Sequence, residues 1–195
     1  MKENKLLYKT CKLIYKSLLK VLYRPTAIGI ENIPEEGPVI FAGNHRHAFD
    51  PVVVMTHTKR FVHYMAKESL FKGLHGFLFE QIGLIKVYRT RNNPEAIASA
   101  VELLKNGGTL GIFPEGTRNR TEEELLRFKH GAVTIAKQSG SKIVPFAIKG
   151  EYKLFSNKLI IEFGKLVDVN NMELEEANDK LYKVIEKLLK QNSKE

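Results

Sequence analysis

Short apolar runs alternate with segments of helical period along this chain, and that alternation narrows the fold more than any other feature. Residues 39–42, 61–66, 83–88, 109–113, 143–149 and 159–163 read as strands, most of them bounded by Gly, Pro or polar clusters. Asp50-Pro51 has the form of an N-cap followed by proline at the first helical position and opens a short helix over residues 52–57. Asn93-Pro94 repeats that start, and Asn106-Gly107-Gly108 stops the helix it opens. A third helix ends at Gly140, and a last one over residues 173–191 carries apolar residues at 174, 177, 181, 185 and 188. The 195 residues fit one core, without an internal repeat or a low-complexity linker. The expectation is a single α/β domain with a mixed, mostly parallel central sheet flanked by helices.

An N-terminal segment precedes this pattern. Over residues 5–23, lysines at 5, 9, 12, 16 and 20 recur at steps of three and four and define one helical face, while Leu6, Leu7, Leu13, Ile14, Leu18, Leu22 and the neighbouring tyrosines fill the other. Such a basic amphipathic helix suits either an in-plane membrane contact or a surface helix packed on the core, since both need the same period. Lysines interrupt every apolar run here, so neither a signal peptide nor a spanning helix of ~18 apolar residues is expected. A net charge of +9 favours a polyanionic partner: a membrane surface, nucleic acid or a phosphorylated substrate. With Cys11 as the only cysteine, no internal disulfide can form, which fits a cytoplasmic setting.

The densest polar cluster is GNHRHAFD, residues 43–50, at the end of the first apolar run. His45 and Asp50 are five apart, which on a continuous α-helix would set them about 140° apart. A strand, a turn and then a helix start at Asp50 removes that obstacle. A carboxylate bonded to one imidazole nitrogen fixes the tautomer and leaves the other nitrogen as a base. Two other uses of the same residues stay open: Asp50 as a plain helix cap, and His45, His47 and Asp50 as metal ligands, although no further acidic cluster or cysteine lies nearby. No GxSxG elbow is present and Cys11 sits in the basic helix, so the nucleophile is expected to come from the substrate.

A second polar turn, PEGTR, follows the run ending at Phe113. Gly116 there permits close backbone approach to a ligand, and Arg118 offers a planar fork of donors. Arg89 and Arg91 leave another strand end, and Lys129 stands just before Gly131 at a helix start, where anions are favoured. Together these cations suggest a phosphate pocket, although each alone reads equally as a solvated surface charge.

These residues carry a resemblance. Asn44-His45-Arg46-His47-Ala48-Phe49-Asp50 reproduces an NHxxxxD block, Gly83–Arg89 is similar to a glycine-led strand ending in arginine, and Phe113-Pro114-Glu115-Gly116-Thr117-Arg118 is a complete FPEGTR block. Ile143-Val144-Pro145-Phe146 is similar to a fourth, proline-bearing strand, and Lys129-His130-Gly131 to a KxG. In this order the blocks resemble the 1-acylglycerol-3-phosphate acyltransferase family over residues 25–165, with Asn119 in place of a serine that many members carry.

The resemblance implies acyl transfer from acyl-carrier protein or coenzyme A to the sn-2 hydroxyl of lysophosphatidic acid, with His45 as general base and Asp50 orienting it. It also implies that Arg89, Arg118 and Lys129 hold the acceptor phosphate, that Glu115, Gly116 and Thr117 shape the acceptor site, and that neither a metal nor a cofactor is needed. Residues 1–24 then read as a membrane-association helix and residues 25–195 as the acyltransferase domain, acting peripherally at the cytoplasmic face of a membrane. Nucleic acid recedes as a partner because no recognition motif organises the cations. Phe71, Phe77 and Phe79 are either the lining of an acyl channel or ordinary core.

Overall fold

Seven strands join in one sheet in the computed structural model, which describes residues 3–88 and 93–191. In chain order they are β1 (Thr26–Ile28), β2 (Val39–Gly43), β3 (Val62–Lys67), β4 (Ile85–Val87), β5 (Thr109–Ile112), β6 (Lys142–Lys149) and β7 (Ile160–Phe163). Across the sheet the order is β1-β7-β6-β2-β5-β3-β4. From β6 to β4 every pairing is parallel; β7 runs antiparallel to β6, and β1 pairs parallel with β7. The mixed, mostly parallel α/β sheet expected from the sequence is therefore present. The edge strand β1 was not expected, since three residues are too few to display a period of two.

Helices cover both faces, which is why the central strands are apolar at successive positions rather than alternating. All five residues of β2 are buried. Its Ile40 and Ala42 pack with α4 (Pro94–Lys105), α5 (Gly131–Ser139) and α6 (Leu174–Lys190) through Leu104, Ile135 and Leu181. Val39 and Phe41 face the other way, toward Val53 and Val54 of α2 (Asp50–Thr56) and Leu19 of α1 (Lys5–Leu22). The α6 residues Ala177, Leu181, Ile185 and Leu188 are buried as their spacing predicts.

The first helix packs differently from its sequence pattern. Its start is capped by Asn4, whose Oδ1 accepts from Leu7 N at 2.9 Å. At 100° per residue, Tyr8, Leu19 and Lys12 share an arc of about 40°, and these are the residues that meet the domain. Tyr8 stacks on Phe61 at 3.9 Å, and Lys12 Nζ donates to the carbonyl of Thr58. Burial, then Lys16, holds the Lys12 ammonium below the usual lysine range. Of the residues that periodicity sets on the apolar face, Leu6, Leu13, Ile14 and Leu18 are 76%, 67%, 60% and 43% exposed, with Val21 beside them at 60%, while Leu7 and Leu22 are half-buried. The surface-helix reading is thus corrected in its choice of face: the apolar stripe points away from the core, with a lysine row between the two.

The phenylalanine-rich segment forms α3 (Gly73–Gln81) at the surface. Phe77 is 61% exposed, and Phe71 and Phe79 are half-buried with Lys86 Nζ 5.0 Å above the Phe71 ring. None of the three is fully buried core.

Candidate active site

The site forms at the carboxyl ends of β2 and β5, adjacent strands in the sheet. The chain leaving β2 passes into α2 on one face, whereas the chain leaving β5 leads to α5 on the other. Divergence of neighbouring connections opens a crevice at the strand ends, the usual ligand position in open α/β sheets. Past the last β2–β6 pair, Gly43 with Phe146, Asn44 continues the pairing with its side chain: Oδ1 accepts from Ile148 N at 2.8 Å and Nδ2 donates to Ile148 O at 2.9 Å. A Cβ on Gly43 would lie 2.4 Å from both the Phe146 ring and its carbonyl oxygen, so only glycine lets β2 run this close to β6.

Beyond Asn44 the chain turns, and His45 Nδ1 lies 2.8 Å from Asp50 Oδ2. The same oxygen accepts from the amides of Arg46 and His47, each at 2.7 Å. Oδ1 accepts from the hydroxyl of Tyr152 at 2.6 Å. Asp50 is wholly buried, and an ionised carboxylate can only accept, so this set of donors holds it as the anion. Its bond to His45 therefore places the proton on Nδ1 and leaves Nε2 with a free lone pair. The imidazole plane is fixed by stacking on Phe113 at 4.0 Å and 20°.

The expectation that Asp50 caps a helix is corrected: Phe49 occupies the N-cap position of α2, and Asp50 lies in its first turn beside Pro51. The carboxylate accepts from amides upstream in the turn, closing the loop that brings His45 back over the helix start. The HxH metal arrangement is not built either. His47 stacks on Tyr152 at 4.0 Å and accepts from Phe49 N through Nδ1, and the described residues contain no group of three His, Cys, Asp or Glu placed to hold a metal.

The PEGTR turn lies beside this pair. Glu115 is buried, and its two oxygens accept from His45 N at 2.7 Å and Leu126 N at 2.9 Å. Burial pushes its carboxyl up, opposed by those amide bonds. It braces the His45 backbone rather than facing solvent. Asn119 N donates to His45 O at 2.6 Å, completing the other side of that brace, and Asn119 Oδ1 accepts from Thr121 N and Oγ1. Gly116 holds φ at 68°, in the left-handed region, and a Cβ there would lie 3.0 Å from Cδ and Cε of Lys129. The structure thus brings Lys129 over the turn, tied by Lys129 N donating to Pro114 O at 2.8 Å. Gly116, Thr117, Arg118 and Lys129 are exposed at the rim. Arg89, with Arg91, lies outside the described residues.

Tyr152 carries no signal in the sequence, being 102 positions from Asp50 in a loop without a motif. Asn44 stood in the NHxxxxD block without a role. Its burial could have been inferred from its place directly after an apolar strand.

Known proteins resemble this chain over most of its length. Residues 24–149 match the family model described as Acyltransferase. A 1-acyl-sn-glycerol-3-phosphate acyltransferase of Borreliella burgdorferi is 34% identical over 146 residues, 73% of this chain and 58% of that protein. One of Bacillus subtilis is 30% identical over 88% of this chain and 84% of its own length. The crystal structure of a 1-acyl-sn-glycerophosphate acyltransferase from Thermotoga maritima superposes with a TM-score of 0.72 at 25% identity, covering 97% of this chain and 81% of that one. A match of that extent takes in both the His45–Asp50 turn and the PEGTR turn beside it, and this chain belongs to the acyltransferase family.

Proposed function

We propose that this protein transfers an acyl chain from a thioester, carried on acyl-carrier protein or coenzyme A, to the sn-2 hydroxyl of 1-acylglycerol-3-phosphate, giving phosphatidic acid. The observation that carries the reading is the buried Asp50 carboxylate on His45 Nδ1, which leaves Nε2 as a base at the mouth of β2. Support also comes from the names of the Borreliella and Bacillus relatives.

In this mechanism His45 Nε2 takes the proton of the sn-2 hydroxyl as its oxygen attacks the thioester carbonyl. Asp50 stabilises the resulting imidazolium without taking its proton. Collapse of the tetrahedral intermediate breaks the C–S bond, and the proton on Nε2 passes to the departing sulfur. A thiol of ordinary pKa, ~8.5, is a tolerable leaving group, so strong acid assistance is not required. Arg118 and Lys129 at the rim of the turn, with Arg89, bind the acceptor phosphate, while Gly116 and Thr117 line its approach and Glu115 holds the His45 backbone in place.

Residues 1–24 serve as the membrane-association segment and residues 25–195 as the catalytic domain, acting peripherally at the cytoplasmic face. The outward Leu6, Leu13, Ile14 and Val21 stripe beside its lysine row supports this reading, since apolar insertion and attraction to anionic lipid act together there. No helix among the described residues is long and apolar enough to cross a membrane.

The test is a transfer assay that crosses lysophosphatidic acid, glycerol-3-phosphate and other lysolipids with both donor types. Phosphatidic acid from lysophosphatidic acid is the expected product, and His45→Ala abolishes it while vesicle binding persists. Product from glycerol-3-phosphate alone would reassign the acceptor. Vesicle binding without product from any pair would mark a non-catalytic lipid-binding module.

A further inference from the structure

The loop joining β6 to β7 exposes two large apolar side chains at its tip. Leu154 is 55% exposed and Phe155 66% exposed, although the loop itself is firmly built. Its base is pinched at Gly150, where φ is 80° and a Cβ would sit 2.0 Å from the carbonyl oxygen of Lys158. Within it, Lys153 N donates to Glu151 O at 2.8 Å and Ser156 N to Lys153 O at 3.2 Å. Phe155 adopts φ of 60°, a left-handed conformation that a bulky side chain rarely takes. An ordered turn is therefore holding two apolar groups in water, one of them, Phe155, in a disfavoured backbone state, which marks a functional constraint more than a packing one.

Position says what covers them. Phe155 N donates to the carbonyl of Leu22, so the tip is fastened to the last turn of α1. Val21 and Leu18 of that turn are 60% and 43% exposed, making the apolar surface of the tip continuous with the outward stripe of the helix. Exposed Lys153 and Lys158 flank the tip as the lysine row flanks the stripe. Three residues before Phe155, Tyr152 contacts Tyr23 at 5.5 Å and bonds Asp50, so the tip and the dyad share one short segment.

We propose that Leu154 and Phe155 form a second membrane-seating element, inserting into an anionic phospholipid bilayer beside the outer stripe of α1. This rests on the membrane reading of α1 given above and extends it. Fastened beside the last turn of α1, the tip widens the inserted surface and opposes rotation of the domain about the helix axis. The mouth of β2 then meets the lipid headgroups that carry the acceptor hydroxyl.

The chain contains no tryptophan, so a single reporter in the full-length protein is unambiguous. The probes are Phe155→Trp and, separately, Ile14→Trp, with vesicles of phosphatidylglycerol and phosphatidylethanolamine bearing brominated acyl chains. Both emissions are expected to shift to the blue and to be quenched by the bromines. Leu154→Ser/Phe155→Ser should partition into the same vesicles about tenfold more weakly, with an unchanged far-ultraviolet spectrum and unchanged transfer to a monomeric short-chain acceptor. Quenching at position 14 without quenching at position 155 would overturn the loop proposal and leave the α1 reading standing. Quenching at neither would overturn both. A shift at position 155 produced by acyl-carrier protein in the absence of vesicles would also overturn it, making the tip a protein-docking surface.

Discussion

The hydroxyl of Tyr152 donates to Asp50 Oδ1 at 2.6 Å, while the opposite oxygen of the same carboxylate lies 2.8 Å from His45 Nδ1. Burial, then the charge of Asp50 and the bond to it, pushes the Tyr152 phenol well above its ordinary range, so it stays a donor at any working pH. The carboxylate is thus held from both sides, and only Oδ2 is presented to the base. Hydrogen bonds to charged groups contribute ~1.5–3 kcal/mol. Tyr152→Phe is expected to lower kcat about tenfold or more. Acceptor KM should stay near the wild-type value in steady-state kinetics, while a melting scan should show the midpoint lowered by several degrees, because the buried carboxylate loses a partner. A raised KM with an intact kcat would place Tyr152 in substrate binding.

Asp50→Asn keeps the shape of the turn and removes its charge. The amides of Arg46 and His47 hold the carboxamide oxygen at the Oδ2 position and turn its NH2 toward the Tyr152 hydroxyl, so His45 keeps its Nδ1–H bond but loses the anion that stabilises its imidazolium. The expected loss is about 10³–10⁴ in kcat, with acceptor binding retained. Single-turnover kinetics together with an equilibrium binding measurement check both halves.

Arg118→Ala should act on binding. If Arg118 grips the acceptor phosphate, its loss raises acceptor KM about tenfold or more, from the ~1.5–3 kcal/mol of a charge-assisted bond, and leaves kcat nearly unchanged. The wild-type preference for lysophosphatidic acid over the corresponding monoacylglycerol should shrink by the same factor. An unchanged preference would remove Arg118 from the phosphate site.

Glu115 predicts a pH dependence of stability. Its folded pKa is raised, first by burial, so the folded state binds the proton at higher pH than the unfolded chain, whose value is ~4.3. Its contribution is most favourable below the unfolded value and is lost as pH rises through the folded one. Glu115→Gln carries no such proton, so the stability advantage of wild type over the variant should widen as pH falls from neutrality toward ~4.3. Urea unfolding of both proteins across that range measures the gap, and a constant or shrinking gap would refute the assignment.

Much of this protein was settled by local pattern. The fully apolar run of β2 could only be a strand covered on both faces, and the spacing of Ala177, Leu181, Ile185 and Leu188 could only be one side of a helix. His45 and Asp50 were legible as a pair because five residues containing a turn are short enough to fold back on themselves. What the sequence left undecided depends on contacts between distant segments. Periodicity marked the apolar stripe of α1 correctly but could not say that the core takes the Tyr8–Leu19 arc instead, because that depends on which groove α2 and β3 offer. Asp50 was read as a cap because Asp-Pro is a local signal, whereas its real donors come from the turn before it and from Tyr152. Glu115 looked like a site residue because it sits in a motif, and only the closure of β2 beside β5 turns its carboxylate onto the His45 backbone. Local spacing determines which elements form and which residues chemistry can use. The tertiary structure decides which oxygen faces which nitrogen, since those distances are set by strand order and not by position along the chain.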